Sequence, residues 1–119
     1  MIKIINLLGS TGSIGQTTLN IIKKDKKNFR VGLLTTNGNI KKIYQQADEF
    51  NVRNIVIFDK HKYFKFHKKF KKKKINVFFS IKDFLKKNKK KSFITINAIS
   101  GINGLEPTIN IIKYSKNLA

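Results

Sequence analysis

The stretch Gly9-Ser10-Thr11-Gly12-Ser13-Ile14-Gly15 follows a mostly apolar run over residues 2–8. An apolar strand, a glycine-rich turn and a helix opening at Ser13 make the front of a dinucleotide-binding βαβ unit. Glycines in such a turn let backbone N–H groups approach a pyrophosphate, and the helix N-terminus adds roughly half a positive charge. The spacing, G-x-x-G-x-x-G, is one residue looser than the usual G-x-G-x-x-G, and a glycine triplet alone also occurs in ordinary loops. The readable strand before it and helix after it favour the nucleotide-binding turn.

Outward from this turn the hydrophobic pattern alternates strand and helix. Strands are predicted over 3–8, 29–35, 54–58, 76–79 and 93–96, with the start of another at 117–119. Helices are predicted over 13–24, from an N-cap at Asn39 to residue 50, within the lysine-rich 60–74, from an N-cap at Ser80, and over 105–113 with Pro107 in the first turn. The first helix is expected to bury Ile14, Thr18, Ile21 and Ile22, widened by Leu19; the second, Ile40, Ile43, Tyr44, Ala47 and Phe50. This alternation implies an α/β fold of the Rossmann-like doubly wound class: a mainly parallel sheet with helices on both faces. No linker divides residues 1–119, which read as one domain.

Composition narrows the function classes. With no cysteine, neither a disulfide framework nor a thiolate metal site is available. The N-terminal apolar run is too short for a membrane span or a signal sequence, which leads to the expectation of a cytoplasmic protein with no membrane partner. The net charge of +20 invites a nucleic-acid reading, yet Arg30 and Arg53 are the only arginines. Lysine, asparagine, isoleucine and phenylalanine are abundant together, the bias of AT-rich codons. A nucleic-acid binder more often uses arginine, whose fork reads phosphate and guanine bidentately. Compositional drift is therefore preferred over a specific nucleic-acid surface.

In an open α/β sheet, ligands lie beyond the C-terminal ends of the strands, which here selects the loops 9–15, 36–39 and 98–104. NAD-specific sites place an acid at the end of the second strand for the ribose 2′-hydroxyl. Residues 34–39 contain none, which favours NADP, with Lys41 and Lys42 close by for its extra phosphate. Asn37-Gly38 also reads as a turn and Asn39 as a helix cap. The hydroxyls of Ser10, Thr11 and Ser13 suit phosphate contact. The six acids are scattered, with no spacing for a divalent metal, so no catalytic residue is assigned. His61 and His67 are expected in surface or core roles. Tyr63, Phe64, Phe66 and Phe70 are expected as a buried helix face rather than a base-stacking platform.

The glycine turn, Thr18-Leu19, Gln46-Ala47-Asp48-Glu49-Phe50, and Ile99-Ser100-Gly101-Ile102-Asn103-Gly104-Leu105 with Pro107-Thr108 occur in an order and spacing that resemble the N-terminal domain of the 1-deoxy-D-xylulose 5-phosphate reductoisomerase family. The resemblance spans essentially the whole chain. It implies that Thr11, Gly12, Ser13 and Ile14 hold the phosphates of NADPH, and that Asn37, Gly38 and Asn39 form the adenosine-side loop. That loop in the family reads glycine, a basic residue, asparagine. Asn39 keeps the pattern, but Asn37 and Gly38 depart from it, so the basic contact to the 2′-phosphate is missing at Gly38 and Lys41 is a candidate replacement.

The resemblance further implies an NADPH-dependent reaction of isoprenoid biosynthesis on a phosphorylated sugar, by a homodimer using Mg²⁺ or Mn²⁺. The family's Asn-Lys-Glu motif, metal ligands, catalytic domain and C-terminal domain are expected beyond residue 119. These residues therefore correspond to roughly the first third of such an enzyme, an NADPH-binding portion expected to be inactive by itself. Another dehydrogenase with the same glycine spacing, such as a semialdehyde dehydrogenase, and a basic nucleic-acid-binding module are the alternatives.

Overall fold

The computed structural model describes residues 2–88 and 92–99. The expected helix over 105–113, the strand from 117, and the 98–104 loop except Ala98 and Ile99 lie outside the described residues. Along the chain run β1 (Lys3–Leu8), α1 (Ser13–Lys23), β2 (Phe29–Thr36), α2 (Ile40–Glu49), β3 (Asn54–Ile57), α3 (Lys60–Lys71), β4 (Asn76–Phe78), α4 (Ile81–Lys87) and β5 (Ile94–Asn97). The expected alternation holds, with boundaries moved by a residue or so.

The strands form one sheet in the order β4-β3-β2-β1-β5, and every described pairing is parallel. From β1 the chain steps outward to β4, then returns past β1 to β5. Right-handed crossovers in opposite directions put their helices on opposite faces. Accordingly Leu19 and Ile22 of α1, Ile43 and Ala47 of α2 and Phe70 of α3 share one core, whereas Ile81, Phe84 and Leu85 of α4 belong to the other. Burial on both faces explains the near-continuous apolar strands, such as Ile55-Val56-Ile57. The order reverses beside β1, so the glycine turn stands at the switch point where doubly wound sheets bind ligands.

One irregularity shapes the two cores. Ile5 pairs with Val31 but Asn6 with Leu33, so Gly32 is an extra residue in β2. The bulge resets the alternation: Val31 and Leu34 face the α1–α3 core while Leu33 faces the α4 core.

Three helices open with side-chain caps: Asn39 accepts from Lys42 N, Asp59 from Lys62 N and Ser80 from Asp83 N. Two of these, Asn39 and Ser80, are legible in the sequence. Helix α1 instead starts from Gly12 with no side-chain cap.

The buried face of α1 differs from expectation. Gly15, Leu19 and Ile22 point inward, while Ile14 and Ile21 are 63% and 65% exposed. The cause is Gly15, where a Cβ would fall 2.3 Å from the Gly9 carbonyl oxygen and 2.6 Å from Ser10 Cα. That close approach fixes the rotation of the helix, and Leu19 and Ile22 follow Gly15 inward at helical spacing. On α3, Phe70 is fully buried and Tyr63 and Phe66 pack partly against the core, but Phe64 is 60% exposed. The expected aromatic face thus holds for three rings. No helix among the described residues is long and apolar enough to cross a membrane.

Candidate functional site

The three glycines of the turn serve three physical needs. Gly9 has φ +76°, a left-handed conformation that side chains disfavour, and a Cβ there would lie 2.8 Å from Ile99 Cγ1 beyond β5. Gly15 permits the helix–turn contact already described. At Gly12 a Cβ would meet only the Gly9 carbonyl oxygen, at 3.8 Å. Among the described residues nothing requires glycine at 12; its bare backbone is exposed at the start of α1, which has no side-chain cap.

The end of β2 anchors this turn. Thr35 Oγ1 accepts from Gly9 N at 2.8 Å, and the Thr35 carbonyl accepts from Ser10 N at 3.0 Å. The Ser10 hydroxyl, expected at a phosphate, is fully buried and donates to the same carbonyl at 3.3 Å. Its proximity to the backbone of β2 turns it inward, a correction to the sequence reading. Thr11 Oγ1 is hydrogen-bonded to Thr36 Oγ1 at 2.8 Å, and Thr36 Oγ1 accepts from Asn39 N at 3.2 Å. One hydroxyl therefore joins the glycine turn to the loop of Asn37, Gly38 and Asn39. Thr11 is thereby linked to that second loop, and Gly12, Ser13 and Ile14 follow it at the start of α1, with Ile14 exposed. Thr36 and its neighbour Thr35 carry no sequence signal of this bridging role, since a threonine at a strand end is unremarkable until its partner is known.

Two more elements close on the site. From α2, Gln46 Nε2 donates to the Ser10 carbonyl at 2.9 Å. From α3, Lys62 Nζ donates to the Gly38 carbonyl at 2.9 Å. Beside this contact lies an open groove of about 620 Å³, lined in part by Asn37, Gly38, Asn39, His61, Lys62 and Lys65. Three of those side chains are basic and no acid is among the groove's described lining residues. Asp59, the nearest acid in sequence, is committed to capping α3, accepting from Lys62 N at 3.0 Å.

The expected cations Lys41 and Lys42 do not line the groove, and His61, Lys62 and Lys65 do. Sequence reasoning missed the last two because it counted only three loops at this end. The signal was available in the topology: β3 lies beside β2, so the loop after β3 and the start of α3 must flank the loop after β2. His67 instead places Nδ1 within 3.0 Å of the Tyr63 carbonyl and stacks on the Tyr63 ring. Among the described residues no three metal-binding side chains come together.

A profile of the 1-deoxy-D-xylulose 5-phosphate reductoisomerase family matches residues 5–119. The reductoisomerase of Pelagibacter ubique is 43% identical over 98% of this chain, and that of Clostridium acetobutylicum is 36% identical over the same share. In each case the chain spans 31% of the relative's length. The solved structure of the Zymomonas mobilis enzyme in complex with NADPH superposes with a TM-score of 0.85 at 26% identity, over 99% of this chain and 31% of that one. Family profile, ordered motifs and superposed fold agree, and the chain belongs to the 1-deoxy-D-xylulose 5-phosphate reductoisomerase family.

Proposed function

We propose that residues 1–119 form an NADPH-binding Rossmann-type domain, with Thr11, Gly12, Ser13 and Ile14 against the pyrophosphate and Asn37, Gly38 and Asn39 against the adenosine. The observation that carries this reading is the division of labour among the three glycines. Gly9 is needed for the turn and Gly15 for packing, yet Gly12 is unconstrained by the described residues and flanks a helix start without a side-chain cap. Such an opening suits an anion whose oxygens accept from the first-turn N–H groups. NADPH, when bound, supplies a hydride. The chain's own residues bind and orient it: the turn holds its phosphates, and the acid-free end of β2 leaves room for a 2′-phosphate that a carboxylate would repel.

In the longer relatives this domain serves conversion of 1-deoxy-D-xylulose 5-phosphate to 2-C-methyl-D-erythritol 4-phosphate. The sugar phosphate, the Mg²⁺ or Mn²⁺ site and the homodimer belong, in this reading, to the parts of those relatives outside these residues. Hydride transfer needs a substrate held within about 3–3.5 Å of the nicotinamide, and the described residues present only the cofactor side. Titrating the 119-residue chain with NADPH and NADH tests the proposal. Saturable binding with NADPH preferred is expected; binding of neither, or equal or tighter binding of NADH, would refute it.

A further inference from the structure

We propose that Lys62, on the first turn of α3, binds the adenosine 2′-phosphate and so sets the preference for NADPH over NADH. The inference rests on the dinucleotide reading above and adds to it a residue from an element outside the glycine turn and its adjoining loop.

The relation between Lys62 and Gly38 carries it. An ideal Cβ on Gly38 would lie 3.0 Å from Lys62 Cδ, 3.4 Å from Cε and 3.2 Å from Nζ. The stem of Lys62 therefore fills the space in which a side chain at position 38 would begin. The glycine is not there for its backbone, since among the described glycines only Gly9 has a positive φ. What occupies this space is the long side chain of Lys62, rooted on α3. A cation is thus placed at the loop after β2, where a doubly wound fold holds the adenosine ribose.

The ammonium group is suited to an incoming anion. It carries three donors, and the Gly38 carbonyl takes one, at 2.9 Å. No carboxylate pairs with it among the described residues: the two ion pairs there are Lys23–Glu49 and Lys86–Asp83. Among the described residues that contact holds the ammonium over the loop and leaves two of its donors available. Lys65 lines the same groove and raises its positive potential. A dianionic phosphate at the groove mouth would meet these charges, whereas the 2′-hydroxyl of NADH would gain little from them.

The experiment measures dissociation constants of NADPH and NADH for the 119-residue chain and for Lys62→Met, Lys62→Arg and the double variant Lys62→Met with Gly38→Lys. Lys62→Met should weaken NADPH about ten-fold, the scale of a charge-assisted hydrogen bond, and leave NADH within about two-fold. Lys62→Arg should keep the preference. Gly38→Lys in the Lys62→Met background should restore it, because the methionine, no longer tethered to the Gly38 carbonyl, swings aside for a side chain that carries its own ammonium. Equal loss for both cofactors would mean that Lys62 only packs on the loop, and an unchanged NADPH constant would exclude any role; either result overturns the assignment while the dinucleotide reading stands. Wild-type chain that binds neither cofactor would overturn both.

Discussion

Gln46 of α2 donates its side-chain amide to the carbonyl of Ser10 across 2.9 Å, tying the second helix directly to the glycine turn. The contact is buried, and Gln46 Oε1 has no hydrogen-bond partner among the described residues. A buried polar atom without a partner is costly, so the amide is retained against that cost by what its other end does. Removing it would leave the Ser10 carbonyl without this donor at the base of the turn.

Gln46→Met, which keeps the volume and removes the donor together with the unpaired Oε1, is expected to lower stability by about 1 kcal/mol, the lost bond being partly offset by removal of that oxygen. It should also weaken both NADPH and NADH, because the turn they share is loosened. Urea denaturation together with titration of both cofactors checks this. A variant as stable as wild type with unchanged affinities would show that the bond is dispensable.

Gly12 and Gly15 should separate binding from folding. Gly12→Leu puts its side chain into open space at the helix start, so stability should change by no more than about 1 kcal/mol while both cofactors lose affinity more than about ten-fold. Gly15→Ala drives a methyl to within 2.3 Å of the Gly9 carbonyl oxygen. The backbone must shift, and a loss of at least about 1–3 kcal/mol is expected. Thermal melts of the two variants beside cofactor titration give the comparison. Equal destabilisation of both would contradict the division of roles.

The bulge at Gly32 makes a third test. A Cβ at that position would sit 2.6 Å from Ile4 Cγ2 and 3.0 Å from Asn6 Oδ1. Ile4 is β-branched and stiff, so it yields poorly. Gly32→Ala should cost about 1–3 kcal/mol by overpacking between β1 and β2. A melting temperature equal to wild type would show that the strand pair relaxes around the methyl.

Lys74 offers a stabilising change. It has φ +61°, with its N–H donating to the Lys71 carbonyl at 2.9 Å and Ile75 N to the Phe70 carbonyl at 3.1 Å. This is a Schellman closure of α3, in which the left-handed position favours glycine. Asn51 holds the equivalent place after α2 at φ +53°, where asparagine is tolerated. Lys74→Gly should raise stability by about 1 kcal/mol, near 4 °C in Tm. Differential scanning calorimetry reads the shift directly, and a lower Tm would argue that the lysine makes a contact outweighing its backbone strain.

The sequence by itself determined the alternation of strands and helices, because the apolar period is local and survives without tertiary context. It also determined the caps at Asn39 and Ser80, whose hydrogen bonds span only three residues. The glycine turn was legible for the same reason, since the strand, turn and helix that define it are contiguous. The rest depended on contacts between distant segments. Of the face expected for α1, Leu19 and Ile22 are buried and Thr18 half-buried, but Ile14 and Ile21 are exposed, because helical periodicity admits several rotations and the collision distance at Gly15 selects among them. The Thr36 hydroxyl acquires its bridging role from Thr11, 25 residues away. Lys62 meets Gly38 across 24 residues, a contact that exists because β3 lies beside β2 and delivers α3 to the same edge. A lysine in a lysine-rich segment carries no mark of such a place. Local sequence sets which elements form, whereas packing of one backbone against another decides which of many similar side chains stands at the site.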